Sequence, residues 1–278
     1  MRRLALLLIA VTTACRSSAP SDTTATDAGV DACALLFGTP SDKTGLGPDR
    51  CRPRCECGGD AYAPPTYGPA FVQGLLDDWR LAAKYPDITV DPYTQPVPPA
   101  DPPGTVCGVL PLPRADAGGR PYELRTYPSM EAARAAGARP THHGHCGVCS
   151  PLADLAVYIR ENDLGARART CALSPDGGEG QVACLMALGF DRPCAQAWAY
   201  DAENTRAKCL GVCLSRLTDG YNLEDGTLNP CIQCDEDLSG PVFQAVAGRT
   251  RRNSGVPNAI CRPCAEVRPL IHEYPAGP

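Results

Sequence analysis

Large side chains are scarce in this chain: Phe, Trp and Tyr together supply only 6% of its 278 residues. A domain of this length therefore has few bulky groups with which to fill a core. Lysine is almost missing, since Lys43, Lys84 and Lys208 are the only lysines among 26 basic residues, and the formal net charge is −5. That sign lacks the basic footprint that holds a phosphate backbone, which argues against a nucleic-acid partner. Long apolar runs are absent too. The longest, Leu4 to Val11, has eight residues, against roughly twenty for a bilayer-spanning helix. No G-x-S-x-G elbow, H-E-x-x-H helix, P-loop or dinucleotide fingerprint occurs, so no motif names a reaction.

The chain does have an export signature and cysteines. Arg2 and Arg3 precede the apolar run, and small residues follow it, which reads as a signal peptide over 1–14. Thr12, Thr13, Ala14 and Cys15 resemble the lipobox of bacterial lipoproteins, with Thr12 departing from the leucine usual in that family. The resemblance implies that Cys15 becomes a lipidated N-terminus carrying diacylglyceryl and palmitate-type acyl chains. Acyl chains contribute about 0.8 kcal/mol per buried CH₂, and two or more anchor stably. The expected partner is then a membrane, and the expected location is the outer membrane or cell envelope, with the domain periplasmic or extracellular. Residues 15–32, rich in Ser, Thr, Ala and Asp, read as a disordered tether.

Setting Cys15 apart, sixteen of the seventeen cysteines remain. An even number in an exported chain points to disulfides, each contributing on the order of 2–4 kcal/mol. Cross-links then replace part of the missing aromatic core. The expected class is α+β, mainly short helices with few strands, and disulfide-rich. Six prolines between Asp91 and Gly104 suggest a boundary between a Cys/Pro-rich N-terminal region with one helix (33–104) and a main cysteine-rich domain (105–278). Periodicity predicts helices at Pro69–Tyr85, from Ser129 to Ala136, at Leu152–Ile159, at Gln181–Leu188, after Asp191, from Thr205 and after Ser239. Strands are expected at Thr105–Leu110 and Tyr122–Tyr127. Asp219 to Cys234 reads as polar and turn-rich. Cys209 and Cys213 stand one helical turn apart, which disfavours a mutual bridge and points to two different neighbours.

The densest chemistry lies in Thr141–Ile159, THHGHCGVCSPLADLAVYI. Leu152, Leu155, Ala156 and Ile159 form the apolar stripe of a helix. Ser150 is the expected N-cap, Pro151 the first helical residue, and Asn162 and Gly165 the expected stop. His142, His143, His145, Cys146 and Cys149 would fall on or beside the loop that enters this helix. Three chemistries suit them. Cys146 and Cys149 have thioredoxin-type spacing and are candidate catalytic residues of a thiol–disulfide oxidoreductase, although Pro151 displaces the helix start and no βαβ pattern surrounds them. His142, His143 and His145 are candidate ligands for a transition metal, zinc or copper, as in a His-ligated metalloenzyme. Structural disulfides are the plainer alternative.

Arg249, Arg251 and Arg252 form the only dense basic cluster, with Asn253 beside them. Guanidinium forks suit carboxylate, phosphate or sulfate, so these four are candidate ligand-binding residues for a small anion. HCGVCSPLADLAVY, CAQAWAY and AGRTRRNSG resemble a family of cysteine-rich exported proteins from bacteria and algae. That resemblance runs roughly from Tyr122 to Tyr274 and implies one coherent domain, with no activity attached. The function expected from the residues is a membrane-anchored exported module that binds a small anionic ligand or a metal. The histidine and arginine loops are expected to share one cleft.

Overall fold

The computed structural model describes residues 35–57, 60–113 and 119–275. The expected signal peptide (1–14), the expected lipidation site Cys15 and the expected tether (15–32) lie outside the described residues. The described chain begins with four short strands, β1 (Leu36–Phe37), β2 (Cys51–Arg52), β3 (Cys55–Cys57) and β4 (Asp60–Tyr62). Helix α1 (Pro69–Asp77) and strands β5 (Trp79–Leu81), β6 (Val106–Pro111) and β7 (Arg120–Tyr127) follow. Next come α2 (Met130–Ala135), β8 (Arg139–His143), α3 (Leu152–Arg160), α4 (Leu164–Ala172), α5 (Gly177–Ala187) and α6 (Arg192–Leu214). The chain closes with α7 (Pro230–Leu238), α8 (Gly240–Ala247) and β9 (Arg262–Pro263). The class is α+β and disulfide-rich, built from short helices and small sheets.

The main sheet has the order β5-β7-β6-β8, with β5 parallel to β7 and the other pairs antiparallel. Helix α3 has this sheet and α1 on one side and the helices α4, α5, α6 and α8 on the other. Its predicted stripe, Leu152, Leu155 and Ala156, is fully buried with Leu75, Trp79, Val109, Tyr122 and Tyr274, and Ile159 is partly buried there. Its other side, Val157 and Tyr158, packs with Leu185, Phe190, Ala195 and Phe243 of the helical half. Each large apolar side chain buried this way contributes roughly 1.5–3 kcal/mol. A helix covered on two sides explains why so few aromatics suffice: Trp79, Tyr122 and Tyr274 cluster on one side, Tyr158, Phe190, Trp198 and Phe243 on the other.

Several local expectations change. The helix from Pro69 stops at Asp77 because Trp79–Leu81 pairs with Arg120–Tyr122 as a strand, burying the Trp79 ring edge-on against Tyr122 at 6.1 Å. Ser150 does not cap α3. Pro151 takes the N-cap position, and the Tyr122 hydroxyl, reaching over from β7, accepts from Leu152 N at 2.9 Å. Gly165 ends nothing: α3 stops at Arg160, and α4 starts at Leu164 behind an Asp163 cap. The two helices expected after Asp191 are one continuous helix of 23 residues. Asp219–Cys234 contains the start of α7, where the Asn229 side chain accepts from Ile232 N.

The expected boundary at residue 104 does not separate two bodies. The described residues on both sides of it form one compact unit, with Leu75 and Trp79 in the same core as α3. Seven disulfides are formed among the described residues. Cys51–Cys261 and Cys55–Cys264 tie the first strands to the C-terminal segment across separations of 210 and 209 residues. Cys107–Cys146, Cys149–Cys194, Cys171–Cys184, Cys209–Cys234 and Cys213–Cys231 complete the set. The last two correct one expectation, since both join α6 to the same neighbour, α7. Antiparallel helices side by side present residues one turn apart to matching residues one turn apart. No helix among the described residues is long and apolar enough to cross a membrane.

Candidate functional site

Strand pairing decides what becomes of the Cys146–Cys149 motif. In the β6–β8 register Cys107 stands opposite His142, so Cys107 is the near neighbour of the chain just beyond β8 and bonds Cys146. The head of α6 meets the head of α3, where Asp191 N donates to Asp154 Oδ1, and Cys194 bonds Cys149 there with both fully buried. Cys146 and Cys149 therefore belong to different bridges. The candidate redox pair does not form, and both cysteines are in disulfides, the plainer of the readings their spacing allowed.

The histidines also disperse. His142 and His143 end strand β8 instead of lying in a loop. His142 is fully buried, with Nε2 2.7 Å from Ser150 Oγ and Nδ1 3.0 Å from His143 O. Burial, then the nearby Arg249 charge, holds its pKa well below the usual imidazole value. His143 Nε2 faces Pro269 O at 3.2 Å. His145 Nδ1 faces Asp101 Oδ2 at 2.8 Å and its Nε2 faces Ala245 O at 2.9 Å. Three rings thus serve three sets of partners. Among the described residues no group of three or more His, Cys, Asp or Glu is arranged to hold a metal, which corrects the zinc or copper site expected at His142, His143 and His145.

The arginine loop does meet the histidine stretch, backbone against backbone. Val148 N and Cys149 N donate to Val246 O and Ala247 O at 3.0 and 2.9 Å. Gly147 and Gly248 pack so closely there that a Cβ on either would overlap the backbone facing it, and Gly248 turns the chain at φ 70°. Arg249 then runs inward with no exposed surface. Its Nε donates to Cys149 O at 3.0 Å, Nη1 to Thr141 O at 2.8 Å, and Nη2 to Thr141 Oγ1 at 2.6 Å and Ser150 O at 3.0 Å. Asn253 is similarly occupied: Nδ2 donates to His143 O and Gly248 O, both at 2.7 Å, while Oδ1 accepts from Thr250 N at 2.8 Å. Arg249 and Asn253 are corrected from ligand-binding to structural residues. What the two motifs build together is a pinned hub, not a shared cleft.

The other two arginines differ from Arg249 and from each other. Arg252 pairs with Glu236 on α7 at 2.7 Å, and Arg262 engages the same carboxylate. Arg251 lies over the Trp198 ring at 5.5 Å. Its Nε and Nη2 are buried and have no hydrogen-bond partner among the described residues. Asp201 and Asp235 lie close enough to feel its charge. Burial, then Asp235, drives the Asp201 carboxyl well above the usual range, and Arg251 only partly opposes this. Burial likewise raises Asp235. Tyr93 OH donates to Asp201 Oδ1 at 2.9 Å, with Ser239 O a second acceptor at 3.1 Å. The Thr205 hydroxyl bonds Asp235 and lies 2.6 Å from Ser239 Oγ. The result is a half-buried polar nest of one guanidinium with two unused donors, two acids held towards their protonated form, and hydroxyls.

Neither acid stood out in the sequence. Asp201 follows Trp198 by three residues and Ala197 by four, so helical arithmetic places it on the buried face of α6, and that signal was legible. Asp154 was missed similarly. It is fully buried in α3, its Oδ1 accepts from Asp191 N at 2.9 Å and links α3 to the head of α6, and its Oδ2 has no partner among the described residues.

The model of a family of unknown function (DUF8771) matches residues 178–269, which covers α5 through β9 and includes Trp198, Asp201, Asp235 and the arginine loop. No curated protein and no solved structure matches the chain.

Proposed function

We propose that this chain is an exported, lipid-anchored binding module that takes a small anion at Arg251, and that it is not a thiol–disulfide oxidoreductase. The observation that carries the ligand assignment is Arg251 itself. Arg249 spends its donors on four protein oxygens and Arg252 on Glu236, whereas Arg251 keeps Nε and Nη2 unused. Two adjacent guanidinium N–H groups match the two oxygens of a carboxylate, phosphate or sulfate. Aspartates near an anion would repel it if ionised. With their pKa raised, Asp201 and Asp235 are neutral over a wider acidic range and there donate hydrogen bonds instead. Anion binding should accordingly strengthen as pH falls.

Calorimetric titration with inorganic phosphate and with sulfate tests this. Wild type should bind, Arg251→Gln should lose roughly tenfold or more in affinity, and wild-type affinity should rise as pH falls. Equal titrations of the two proteins would end the assignment. Anchoring rests on the lipobox-like Thr12–Cys15 and places the domain on the periplasmic or outer side of the cell envelope. Detergent phase partitioning of wild type against Cys15→Ser tests it, the expected result being detergent phase for the first and aqueous phase for the second.

A further inference from the structure

Helix α6 changes character halfway along. Its first two turns bury Pro193, Cys194, Ala195, Gln196, Ala197 and Ala199, but beyond Ala199 it buries only Cys209. In that second part Leu210 and Leu214, one turn apart on one face, are 49% and 58% exposed, and Leu217 in the turn that follows is 70% exposed. An apolar helix face without a core is held in shape by other means: Cys209–Cys234 and Cys213–Cys231 fasten it to α7.

The same end of the molecule receives the incoming chain. Tyr221 N and Asn222 N, in the α6–α7 connection, donate to Lys43 O and Thr44 O at 2.7 and 2.8 Å. Arg50 Nη1 donates to Glu224 O at 3.1 Å. Leu36, the second described residue, lies against Gly226, where a Cβ would stand 3.1 Å from its Cδ1. The segment that emerges from the N-terminus is thus seated on the loop that starts three residues after Leu217. Cys15 is twenty residues before Leu35, a distance of at most roughly 70 Å of extended chain.

We infer that Leu210, Leu214 and Leu217 form a lipid-docking tip, seated in the interfacial region of the bilayer to which Cys15 tethers the chain. The inference rests on the anchoring reading of Cys15. Tethering keeps the tip within reach of the bilayer and makes its insertion an intramolecular event, so a small apolar surface is enough. Three part-exposed leucines fall well short of the roughly 800 Å² per partner that a stable protein interface buries, so a lipid surface suits them better than a second copy of the chain. Arg206, Lys208 and Arg216 are exposed along the same stretch, where their long stems let the charges reach the headgroups. Glu224 and Asp225 in the neighbouring loop and Asp219, paired with Arg216, offset them. The contact should therefore be apolar in origin and insensitive to salt.

The test uses the full lipidated chain in vesicles of phosphatidylethanolamine and phosphatidylglycerol containing a diazirine phospholipid, irradiated and mapped by mass spectrometry. Label is expected on the peptide spanning 210–217, unchanged in high salt, and reduced about tenfold in Leu214→Gln/Leu217→Gln with its disulfides intact. Label confined to the N-terminal peptide, or equal in the variant, overturns the inference. Full chains carrying Cys15→Ser, added to the same vesicles from outside, separate this from the anchoring reading. They should still co-sediment weakly, and less so with the two glutamines. If the lipidated chain stays with the vesicles while its 210–217 peptide takes no label, or if the leucines instead mediate a dimer that the same variant dissolves, the lipid tip is wrong even where anchoring at Cys15 holds.

Discussion

The hub around Arg249 and the hairpin of α6 and α7 hold their shape by opposite means. In the hub, one buried guanidinium satisfies four oxygens from three positions of the chain, and Asn253 bonds across to β8. Each group there is useful only because the others are fixed, and the whole is sealed by the α3 core. In the outer part of the hairpin hardly anything is buried, and two disulfides closing separations of 25 and 18 residues do the fastening. The first device fails all at once when one member is removed. The second degrades locally, because the chain between cross-links has little packing to lose. Polar satisfaction inside a core specifies a structure, whereas covalent cross-links let a surface element keep leucines exposed without needing a core.

The largest expected effect comes from breaking the hub. Arg249→Leu strands three carbonyls and a hydroxyl, and at on the order of 1–3 kcal/mol for each orphaned buried group the loss should exceed ~4 kcal/mol. Failure to accumulate folded protein, or a collapse of the denaturation midpoint, checks this. Arg249→Lys should fare only slightly better, because an ammonium cannot reproduce the fork.

Removing the hairpin bridges is expected to cost less and to act locally. Cys209→Ser/Cys234→Ser should lose about 3 kcal/mol by the chain-entropy estimate for a loop of this size. Amide exchange should speed up over 200–238 and stay unchanged in β6, β7 and α3. A uniform increase across the molecule would show that the hairpin is not an independent region.

Titration sharpens the contrast further. His272 is buried beside the hub with its Nε2 2.9 Å from Ser254 O, and burial, then Arg249, depresses its pKa to about 3, with His142 depressed similarly. Both are neutral when folded and titrate near the ordinary value of about 6.5 when unfolded. As pH drops below that value the unfolded chain gains protons that the folded chain refuses, so the hub loses stability between about pH 6.5 and about 3. Asp154 works in the other direction. Its raised carboxyl takes up a proton in the folded state first, so its contribution declines as pH rises above the ordinary aspartate range. Denaturation of His272→Gln at several pH values should show a shallower acid loss than wild type. Asp154→Asn should flatten the decline at higher pH.

The smallest expected effect is at the tip. Leu214→Gln/Leu217→Gln should change stability by no more than about 0.5 kcal/mol, as surface substitutions do, so a lost lipid contact would not be confused with unfolding. A shift of several degrees in the melting midpoint would instead mean that the leucines pack on something within the fold.

Local pattern was enough for part of this molecule. The stripe Leu152, Leu155, Ala156 is on the core side of α3, Ser129 caps α2 through Ala132 N, and β6 and β7 fall within a residue or two of their predicted ends. Each of these depends on spacing along one segment, which a sequence displays directly. Cysteine parity pointed to cross-links for the same reason. Which cysteine meets which was decided elsewhere. Cys107 reaches Cys146 through the β6–β8 register, Cys194 reaches Cys149 because the head of α6 is held to α3 at Asp154, and Cys209 and Cys213 face one helix because α7 runs antiparallel beside them. The arginine triplet shows the same division. A sequence shows three guanidinium groups of equal promise, but a guanidinium is free for a ligand only if the fold leaves its donors unmet, and that depends on carbonyls more than a hundred residues away, such as Thr141 O for Arg249.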